Sequence, residues 1–364
     1  MKVVISAGGT GGHIYPALAI INKIKEEDKN SEFLYIGTHN RMEKDIVPKY
    51  NIPFQAIEIY GLNRKKVFKN FKSVFCLIKS YFKCKKLIKK FKPDIVIGVG
   101  GYVTAPVILS AHSLKIKTII HEQNSIPGKS NLFLSKYVDK ILVSFSSSMK
   151  YFPVDKVLFT GNPCSEEALK GKVISKEIFS LSVDKKLVYI VMGSLGSSRV
   201  NNIIKSALPL FSNKEYEVLF VTGKELYEEL KEIEYSSNVK IVPYVENQSH
   251  FLKNVDLIVT RCGATTLSEI IALKIPAILI PSPYVPNNHQ FKNGYDLVKR
   301  ESAIMIEEKN LTEETLINEI DTLINDSEKL NILKKNLSFF DIKNSATIIY
   351  NEIKSLVDRK RLWT

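Results

Sequence analysis

Hydroxyl and carboxylate side chains follow an apolar strand in the second half of the sequence. Residues 256–260 read Asp-Leu-Ile-Val-Thr, a turn comes at Gly263, and Thr265, Thr266 and Glu269 come next. A helix that begins at such a turn presents backbone N–H groups and the positive end of its dipole to a phosphate. Glu269, one turn further on, can accept hydrogen bonds from ribose hydroxyls. The alternative is a capping box in which Thr266 and Glu269 serve only the helix terminus.

An amide-rich loop lies between Pro281 and Asn293, after the next predicted strand. It contains Asn287, Asn288 and Gln290. Amide side chains both donate and accept hydrogen bonds, as recognition of sugar hydroxyls requires. The second half of the chain therefore carries groups suited to a phosphate, a ribose and a sugar.

Two strand-glycine-helix units position such groups, about half a chain apart. Residues 3–7 (VVISA) run into 8–13 (GGTGGH), and residues 187–191 (LVYIV) run into 193–197 (GSLGS). A β-branched run without a polar break is typical of a buried parallel strand, and glycines let the following turn approach a ligand. Two such units predict an α/β fold with twin Rossmann-like domains that face each other across a substrate cleft.

The chain of 364 residues exceeds what one core usually organises. Residues 160–163 (TGNP) interrupt the strand and helix pattern and form the expected linker. We expect one domain at 1–162, a second at 163–340, and a last helix within 341–364 that packs back across the junction. Strands are predicted at 3–7, 33–36, 53–59, 95–97, 117–121, 140–144, 187–192, 216–222, 240–242, 256–260 and 277–280, and helices at 15–25, 104–112 and 346–359.

Hydropathy and cysteine spacing exclude several classes of protein. No run of about 18 apolar residues occurs, and the N-terminus enters a strand at once, so we expect neither a membrane span nor a secretory signal. The four cysteines have no CxxC spacing, which gives no zinc or redox signal and fits a reducing compartment.

The excess of positive over negative charge lies entirely in the first half of the chain. Residues 1–162 carry 26 Lys and Arg against 11 Asp and Glu, whereas residues 163–364 carry 26 against 27. Twelve basic residues and no acidic one lie between Arg64 and Lys92, with apolar residues at three- and four-residue steps. This pattern predicts an amphipathic helix bordered by lysines.

A basic amphipathic helix can lie on an anionic membrane surface. The residues assigned to this membrane patch are Lys72, Phe75, Ile78, Lys79 and Phe82. The alternative is a surface helix whose apolar stripe, Val67, Phe71, Val74, Phe75, Ile78 and Phe82, is part of the core. Nucleic acid is not expected as the partner, because no recognised binding module accompanies the stretch.

An ordered series of segments resembles the MurG transferase family, which is glycosyltransferase family 28. The segments are 8–17 (GGTGGHIYPA), 98–102 (GVGGY), 121–124 (HEQN), 161–163 (GNP), 193–197 (GSLGS), 261–269 (RCGATTLSE) and 288–293 (NHQFKN). The resemblance covers nearly the whole chain. It implies a GT-B fold and a bacterial enzyme of peptidoglycan synthesis that transfers N-acetylglucosamine from UDP-N-acetylglucosamine to lipid I, giving lipid II.

The resemblance also implies site residues. The donor site would comprise Thr10, Gly11, Gly12, Asn124, Ser194, Val245, Arg261, Ala264, Thr266, Glu269, Gln290 and Asn293. The acceptor pyrophosphate would lie on Gly8, Gly9, Gly100, Gly101 and Tyr102. Family members often carry an arginine just after Gly-Asn-Pro, where this chain has Cys164 and Ser165. A phosphate contact from that loop is therefore not expected.

The implied reaction inverts the anomeric carbon, so one displacement suffices and no covalent nucleophile is needed. A base must take the proton of the acceptor 4-hydroxyl, and His13 is the preferred candidate, with Glu122 second. No Asp-x-Asp segment precedes the expected cleft, so the helix end at 263–266 and Arg261 would stabilise the leaving diphosphate, with no metal and no cofactor. A lipid-linked acceptor implies a peripheral enzyme on the cytoplasmic face of the cell membrane, where cell-wall synthesis proteins are possible partners.

Three other classes stay open at this point. A UDP-sugar epimerase shares the two-domain plan but has no use for the basic amphipathic helix. A nicotinamide dehydrogenase requires GxGxxG and an acidic residue about 20 positions on, a spacing that 8–12 lacks. A non-catalytic membrane-binding protein explains the basic helix but leaves Glu269, Gln290 and Asn293 without a role.

Overall fold

The computed structural model describes residues 1–61, 67–193, 197–340 and 343–361, without the side chains of 67–72 and 360–361. Backbone contacts divide the chain into two compact units. The first unit comprises Met1–Cys164 and Asn344–Thr364, and the second comprises Ser165–Lys343. The polypeptide therefore leaves the first unit and returns to it.

The described part of the first unit contains a parallel sheet of seven strands. The strands are β1 (Lys2–Ser6), β2 (Glu32–Thr38), β3 (Phe54–Ile57), β4 (Ile95–Gly98), β5 (Lys117–Glu122), β6 (Lys140–Val143) and β7 (Val157–Phe159). Their order across the sheet is β3-β2-β1-β4-β5-β6-β7. Because β1 and β4 are neighbours, the loops that follow them emerge side by side at the carboxyl edge.

Helices cover both faces of this sheet. They are α1 (Gly11–Glu27), α2 (Glu43–Ile46), α3 (Val67–Phe91), α4 (Thr104–Ser113), α5 (Lys129–Leu134) and α14 (Ser345–Arg361), and α6 (Pro163–Lys170) spans the division between the units. Alternate strand residues point to opposite faces. Val3 and Ile5 pack with α1 and α14, whereas Val4 packs with α3 and α4.

The described part of the second unit contains a parallel sheet of six strands in the order β10-β9-β8-β11-β12-β13. The strands are β8 (Leu187–Val191), β9 (Glu217–Val221), β10 (Val239–Val242), β11 (Leu257–Thr260), β12 (Ala277–Leu279) and β13 (Ile304–Met305). The helices are α7 (Ser198–Ala207), α8 (Lys224–Leu230), α9 (Gln248–Phe251), α10 (Ala264–Leu273), α11 (His289–Val298), α12 (Glu313–Ile324) and α13 (Ser327–Leu337).

The predicted strands are all present within one or two residues of their expected ends, and β7 and β13 are additional. These two strands are three and two residues long, too short to show a hydropathy pattern. Both lie at the end of a sheet, where pairing to one neighbour defines them. Their existence depends on tertiary pairing rather than on local sequence.

The basic stretch forms one continuous helix, α3, which the structure describes from Val67. Arg64, Lys65 and Lys66 lie outside the described residues. The described apolar side chains of the stripe are exposed: Val74 by 44%, Phe75 by 68%, Ile78 by 52% and Phe82 by 62%. The alternative that they belong to the core is therefore wrong. The face of α3 that packs on its own unit carries small and aliphatic side chains, Ser73, Cys76, Ser80, Cys84 and Ile88.

Candidate functional site

Two glycine loops meet at the carboxyl edge of the first sheet. We call residues 8–12 the first glycine loop and residues 98–102 the second. The N–H of Gly8 donates to the carbonyl oxygen of Gly100 at 3.2 Å. Gly9, Gly100 and Gly101 have φ of +98°, +106° and +88°, a region that side chains disfavour. A Cβ at residue 101 would overlap the carbonyl oxygen of Gly8, so this close approach requires glycine.

His13 lies in the first turn of α1, against the second glycine loop. Its Nδ1 lies 3.0 Å from the carbonyl oxygen of Gly8. Because a carbonyl only accepts, Nδ1 carries the proton in this contact and the lone pair of the neutral ring is on Nε2. A side chain at residue 100 would come within 2.8 Å of Nε2, so Gly100 provides the space for the imidazole.

The N–H groups of Gly8 and Gly9 are used inside the fold. Gly8 donates to Gly100, and Gly9 donates to a carboxylate oxygen of Glu43 at 3.1 Å. Both residues therefore shape the loop rather than offer a donor to a ligand. Thr10 is the exposed N-cap residue of α1, with extended backbone and no side-chain cap, so the N-terminal dipole of α1 faces outward from here. Tyr102 is 63% exposed at the end of the second loop.

Sequence reasoning missed Glu43, a fully buried carboxylate beneath the first glycine loop. One oxygen accepts the Gly9 N–H, and the other accepts the N–H and the hydroxyl of Thr38 at 3.0 and 2.6 Å. No spacing in the sequence marks Glu43, because the contact joins the start of α2 to the loop after a neighbouring strand. The only local feature that points to Glu43 is that it is an acidic residue shortly after the end of β2.

Glu122 organises the loop that follows β5. One of its oxygens accepts the backbone N–H and the side-chain amide of Asn124 at 2.9 and 3.2 Å. The other accepts the N–H of Gly128 at 3.0 Å and the amide of Asn131 at 2.8 Å. Four donors thus occupy this carboxylate. Asn124, expected near the donor sugar, is half-buried in the same loop.

The neighbouring His121 is a structural histidine. Its Nε2 donates to the carbonyl oxygen of Gly161 at 3.2 Å, and its Nδ1 accepts from the Gln123 amide at 2.9 Å. Burial lowers the pKa of His121 to about 4. Gln123 also donates to the carbonyl oxygen of Val99 at 3.0 Å, which ties this loop to the second glycine loop.

In the second unit, Arg261 joins three loops at the carboxyl edge of the sheet. Its guanidinium donates to the carbonyl oxygen of Ile280 at 3.1 Å and to the Ser197 hydroxyl at 2.6 Å. It also forms an ion pair with Glu308 at 2.6 Å, and both side chains are buried. From its own loop after β11, Arg261 thus contacts the loops after β8, β12 and β13. Sequence reasoning missed Glu308, which lies 47 residues further along the chain.

Helix α10 begins at Ala264, with Gly263 as an N-cap that has no side-chain cap. Thr266 is therefore the third residue of the helix and not its N-cap, so the capping-box alternative is wrong. Burial raises the pKa of the Glu269 carboxyl to about 8. Tyr189, in β8, lies nearby: its own burial and then the charge of Glu269 raise the pKa of its hydroxyl.

The remaining predicted donor residues differ in exposure. Gln290 is half-buried and accepts the N–H of Ser282 at 2.8 Å. Asn293 is fully buried and donates to the carbonyl oxygen of Cys262 at 3.2 Å, so it supports the turn before α10. Val245 is buried after β10. Ser194 lies outside the described residues, and no three His, Cys, Asp or Glu side chains in the described ranges are grouped to hold a metal ion.

Helix α3 presents its exposed apolar side chains together with exposed Lys79. The side chain of Lys72 lies outside those that the structure describes. Across the described ranges, none of the helices combines the length and the hydropathy that a membrane crossing requires.

Comparisons with known proteins cover both units. The profile of the glycosyltransferase family 28 N-terminal domain matches residues 3–143, and that of the C-terminal domain matches residues 187–347. A relative from Bacillus cereus is 46% identical over 364 residues, which is 99% of this chain and 100% of the relative. That relative is named UDP-N-acetylglucosamine--N-acetylmuramyl-(pentapeptide) pyrophosphoryl-undecaprenol N-acetylglucosamine transferase 1.

Two solved structures illustrate the likeness in fold. MurG of Acinetobacter baumannii superposes with a TM-score of 0.75 at 24% identity, covering 97% of this chain and 99% of that one. UDP-GlcNAc 2-epimerase of Neisseria meningitidis superposes with a TM-score of 0.67 at 16% identity, covering 98% and 100%. The fold is thus the α/β GT-B fold, with two Rossmann-like domains. From the matched domains and the full-length relatives, this chain belongs to glycosyltransferase family 28.

Proposed function

We propose that the protein transfers N-acetylglucosamine from UDP-N-acetylglucosamine to the 4-hydroxyl of undecaprenyl-pyrophosphoryl-N-acetylmuramoyl pentapeptide, which is lipid I, to give lipid II. The observation that carries this proposal is the 46% identity, over essentially the full length of both chains, to a relative named for this transfer. The epimerase likeness concerns only the fold, because the identity there is 16%.

The second unit binds the donor. The uncapped N-terminus of α10 attracts the diphosphate, with Ala264 and Thr266 in its first turn. Glu269 accepts hydrogen bonds from the ribose, and Gln290, in the first turn of α11, binds sugar hydroxyls. Arg261 acts mainly by holding the loops together, since its three partners are protein groups. Asn293 likewise acts through the backbone of Cys262.

The first unit binds the acceptor and supplies the base. The two glycine loops, at Gly8, Gly9, Gly100 and Gly101, receive the acceptor pyrophosphate, because residues without side chains let the phosphates approach the backbone. Exposed Thr10, the N-cap residue of α1, stays assigned to the donor sugar. His13 accepts the proton of the attacking hydroxyl on Nε2, since Nδ1 already donates to Gly8. Glu122 is not assigned this role, because four protein donors occupy its oxygens.

The acceptor is lipid-linked, so the enzyme must work at a membrane surface. Phe75, Ile78 and Phe82 are exposed on α3 and do not pack in the hydrophobic core. Apolar side chains bordered by lysines bind the boundary region of an anionic bilayer. We place the protein at the cytoplasmic face of the cell membrane as a peripheral enzyme, where proteins of cell-wall synthesis would be its neighbours.

One assay tests this function against the epimerase alternative. The purified protein is incubated with UDP-N-acetylglucosamine, with and without a soluble lipid I analogue, and UDP release is measured. Transfer predicts release only when the acceptor is present, together with a β1,4-linked disaccharide product. UDP release without acceptor, or conversion of the donor to its 2-epimer, contradicts the proposal.

A further inference from the structure

The peptide group between Gly8 and Gly9 has a hydrogen-bond partner on each side. Its carbonyl oxygen lies 3.0 Å from Nδ1 of His13, and its N–H donates to Oε2 of Glu43 at 3.1 Å. The C=O and N–H of a trans peptide lie in one plane and point in opposite directions. A buried carboxylate and the imidazole are therefore linked through a single rigid group.

Glu43 is held firmly in this arrangement. Its second oxygen, Oε1, accepts both the N–H and the hydroxyl of Thr38, and the side chain is fully buried. The neighbouring Tyr35 donates its hydroxyl to the carbonyl oxygen of Ala7 at 3.0 Å, one residue before the first glycine loop. Burial and then the negative charge of Glu43 raise the pKa of Tyr35, so Tyr35 stays a neutral donor. A Cβ at Gly8 would collide with Oε1, so the loop fits closely over the carboxylate.

We propose that Glu43 is a positioning residue for His13. By accepting the Gly9 N–H, it orients and polarises the Gly8–Gly9 peptide, so that the Gly8 carbonyl holds the imidazole proton on Nδ1 and leaves Nε2 to accept a proton. In Ser-His-Asp sites a carboxylate fixes the histidine tautomer directly. Here the carboxylate would fix the tautomer through one intervening peptide. Such an effect can pass through the peptide because hydrogen bonds in a chain polarise and strengthen one another. The consequence for catalysis rests on the proposed role of His13 as the base.

The test replaces Glu43 by glutamine in the full-length protein. A carboxamide has one acceptor oxygen and one donor nitrogen, so it cannot accept hydrogen bonds from Thr38 at one end and from Gly9 at the other. ¹⁵N NMR of histidine-labelled protein reports the tautomer, and the spectrum of a His13→Ala variant assigns the signals. We expect the Nδ1–H form to dominate in the wild type and to lose population in Glu43→Gln. We also expect kcat to fall by about tenfold or more while KM for the donor changes less than about twofold.

Thr38→Val is the matched control. It removes the hydroxyl contact to Oε1 and leaves the contact between Oε2 and Gly9. It should lower thermal stability about as much as Glu43→Gln does, yet keep the wild-type tautomer and kcat. Glu43→Asp, which keeps the charge, should restore part of the Nδ1–H population and serves if the glutamine variant does not fold.

The outcomes separate this inference from the proposed function. Unchanged His13 signals in Glu43→Gln, or an equal change in Thr38→Val, overturn the positioning role. The NMR measurement needs no substrate, so it is independent of the reaction. If His13→Ala transfers sugar at the wild-type rate while Glu43→Gln still changes the tautomer, the base assignment fails and the link through the peptide stands.

Discussion

Burial raises the pKa of the Glu269 carboxyl to about 8, so we expect the protonated form to predominate at neutral pH in the ligand-free protein. A protonated carboxyl accepts fewer hydrogen bonds than a carboxylate does. The two hydroxyls of a ribose are best bound by the ionised form, which accepts both. Binding of the nucleotide in the proposed site therefore favours loss of the proton.

We expect UDP binding to release about one proton at pH 7 and almost none above pH 9. The direction of the pH dependence follows from the raised pKa of Glu269. Below about pH 8 the free protein carries the proton and the complex does not. The affinity for UDP should therefore rise with pH up to about 8 and then level off. Titration calorimetry in two buffers of different ionisation enthalpy measures the release. Glu269→Gln should bind UDP more weakly and release no proton. Equal release from the variant would refute the assignment.

His13 should act in the chemical step rather than in donor binding. Removing the imidazole in His13→Ala is expected to lower kcat by about 100-fold or more, because a positioned base contributes about that much. KM for UDP-N-acetylglucosamine should change less than about twofold, since the donor is assigned to the second unit. Steady-state kinetics at saturating acceptor measure both. A fully active variant would remove His13 as the base.

Residue types and local spacing identified those site residues whose position is set by neighbouring residues in the sequence. The first glycine loop lies between a predicted strand and a helix, and α10 begins directly after Gly263, where a turn was predicted. Glu43 and Glu308 were missed because each acts on a residue of another loop, at a distance in sequence that only the strand order explains. Asn293 shows the converse limit: an amide in a polar loop looks available for a ligand, yet it is buried against the turn before α10.

At the scale of elements, periodicity predicted α3 but not the direction of its apolar side chains. A stripe at three- and four-residue steps occurs both in helices that face a core and in helices that face a membrane. Packing shows only that the described part of the stripe does not face the core, because Cys84 and Ile88 fill the core from another face of α3. That the exposed stripe meets a membrane stays a prediction, drawn from the lysines that border it.

The exposed face of α3 should control membrane binding without affecting stability. The triple variant Phe75→Ser, Ile78→Ser and Phe82→Ser removes side chains that are 52–68% exposed, so the melting temperature should change little. Co-sedimentation with vesicles that contain anionic lipid is expected to fall by at least about tenfold. Transfer to a short-chain soluble acceptor should persist, whereas transfer to acceptor in vesicles should fall.

The control for this experiment lies in the second unit. Ile178 and Val183 are 62% and 61% exposed, and the double serine variant removes exposed apolar side chains that are not part of α3. It should bind vesicles like the wild type. Equal loss of binding in both variants would show that apolar exposure in general, and not α3, drives association.

At the scale of the molecule, the first unit is built from two distant parts of the chain. Ile349, Ile353 and Val357 of α14 are buried in the core that α1 covers. The sequence predicted the last helix from its apolar spacing. Which surface it covers follows from long-range packing, which local spacing does not specify.

Ile353→Ala should destabilise the first unit by about 2–4 kcal/mol, as deletion of a fully buried aliphatic side chain usually does. Chemical denaturation followed by fluorescence and circular dichroism measures the change. Lys354→Ala, at the next and exposed position of α14, is the control and should change the free energy of unfolding by less than about 0.5 kcal/mol. Equal effects would mean that α14 contributes little to the core of this unit.

The return of the chain at α14 has a consequence for protein synthesis. While the ribosome is still translating the middle of the message, α1 and its sheet have already emerged, but the helix that shields them has not been made. The apolar face of α1 stays exposed for the time needed to translate some 180 further residues, which separate Cys164 from Ser345. Nascent chains expose such surfaces to chaperones and to aggregation. Premature termination just before Ser345 would therefore leave an intact second unit joined to an uncovered first one.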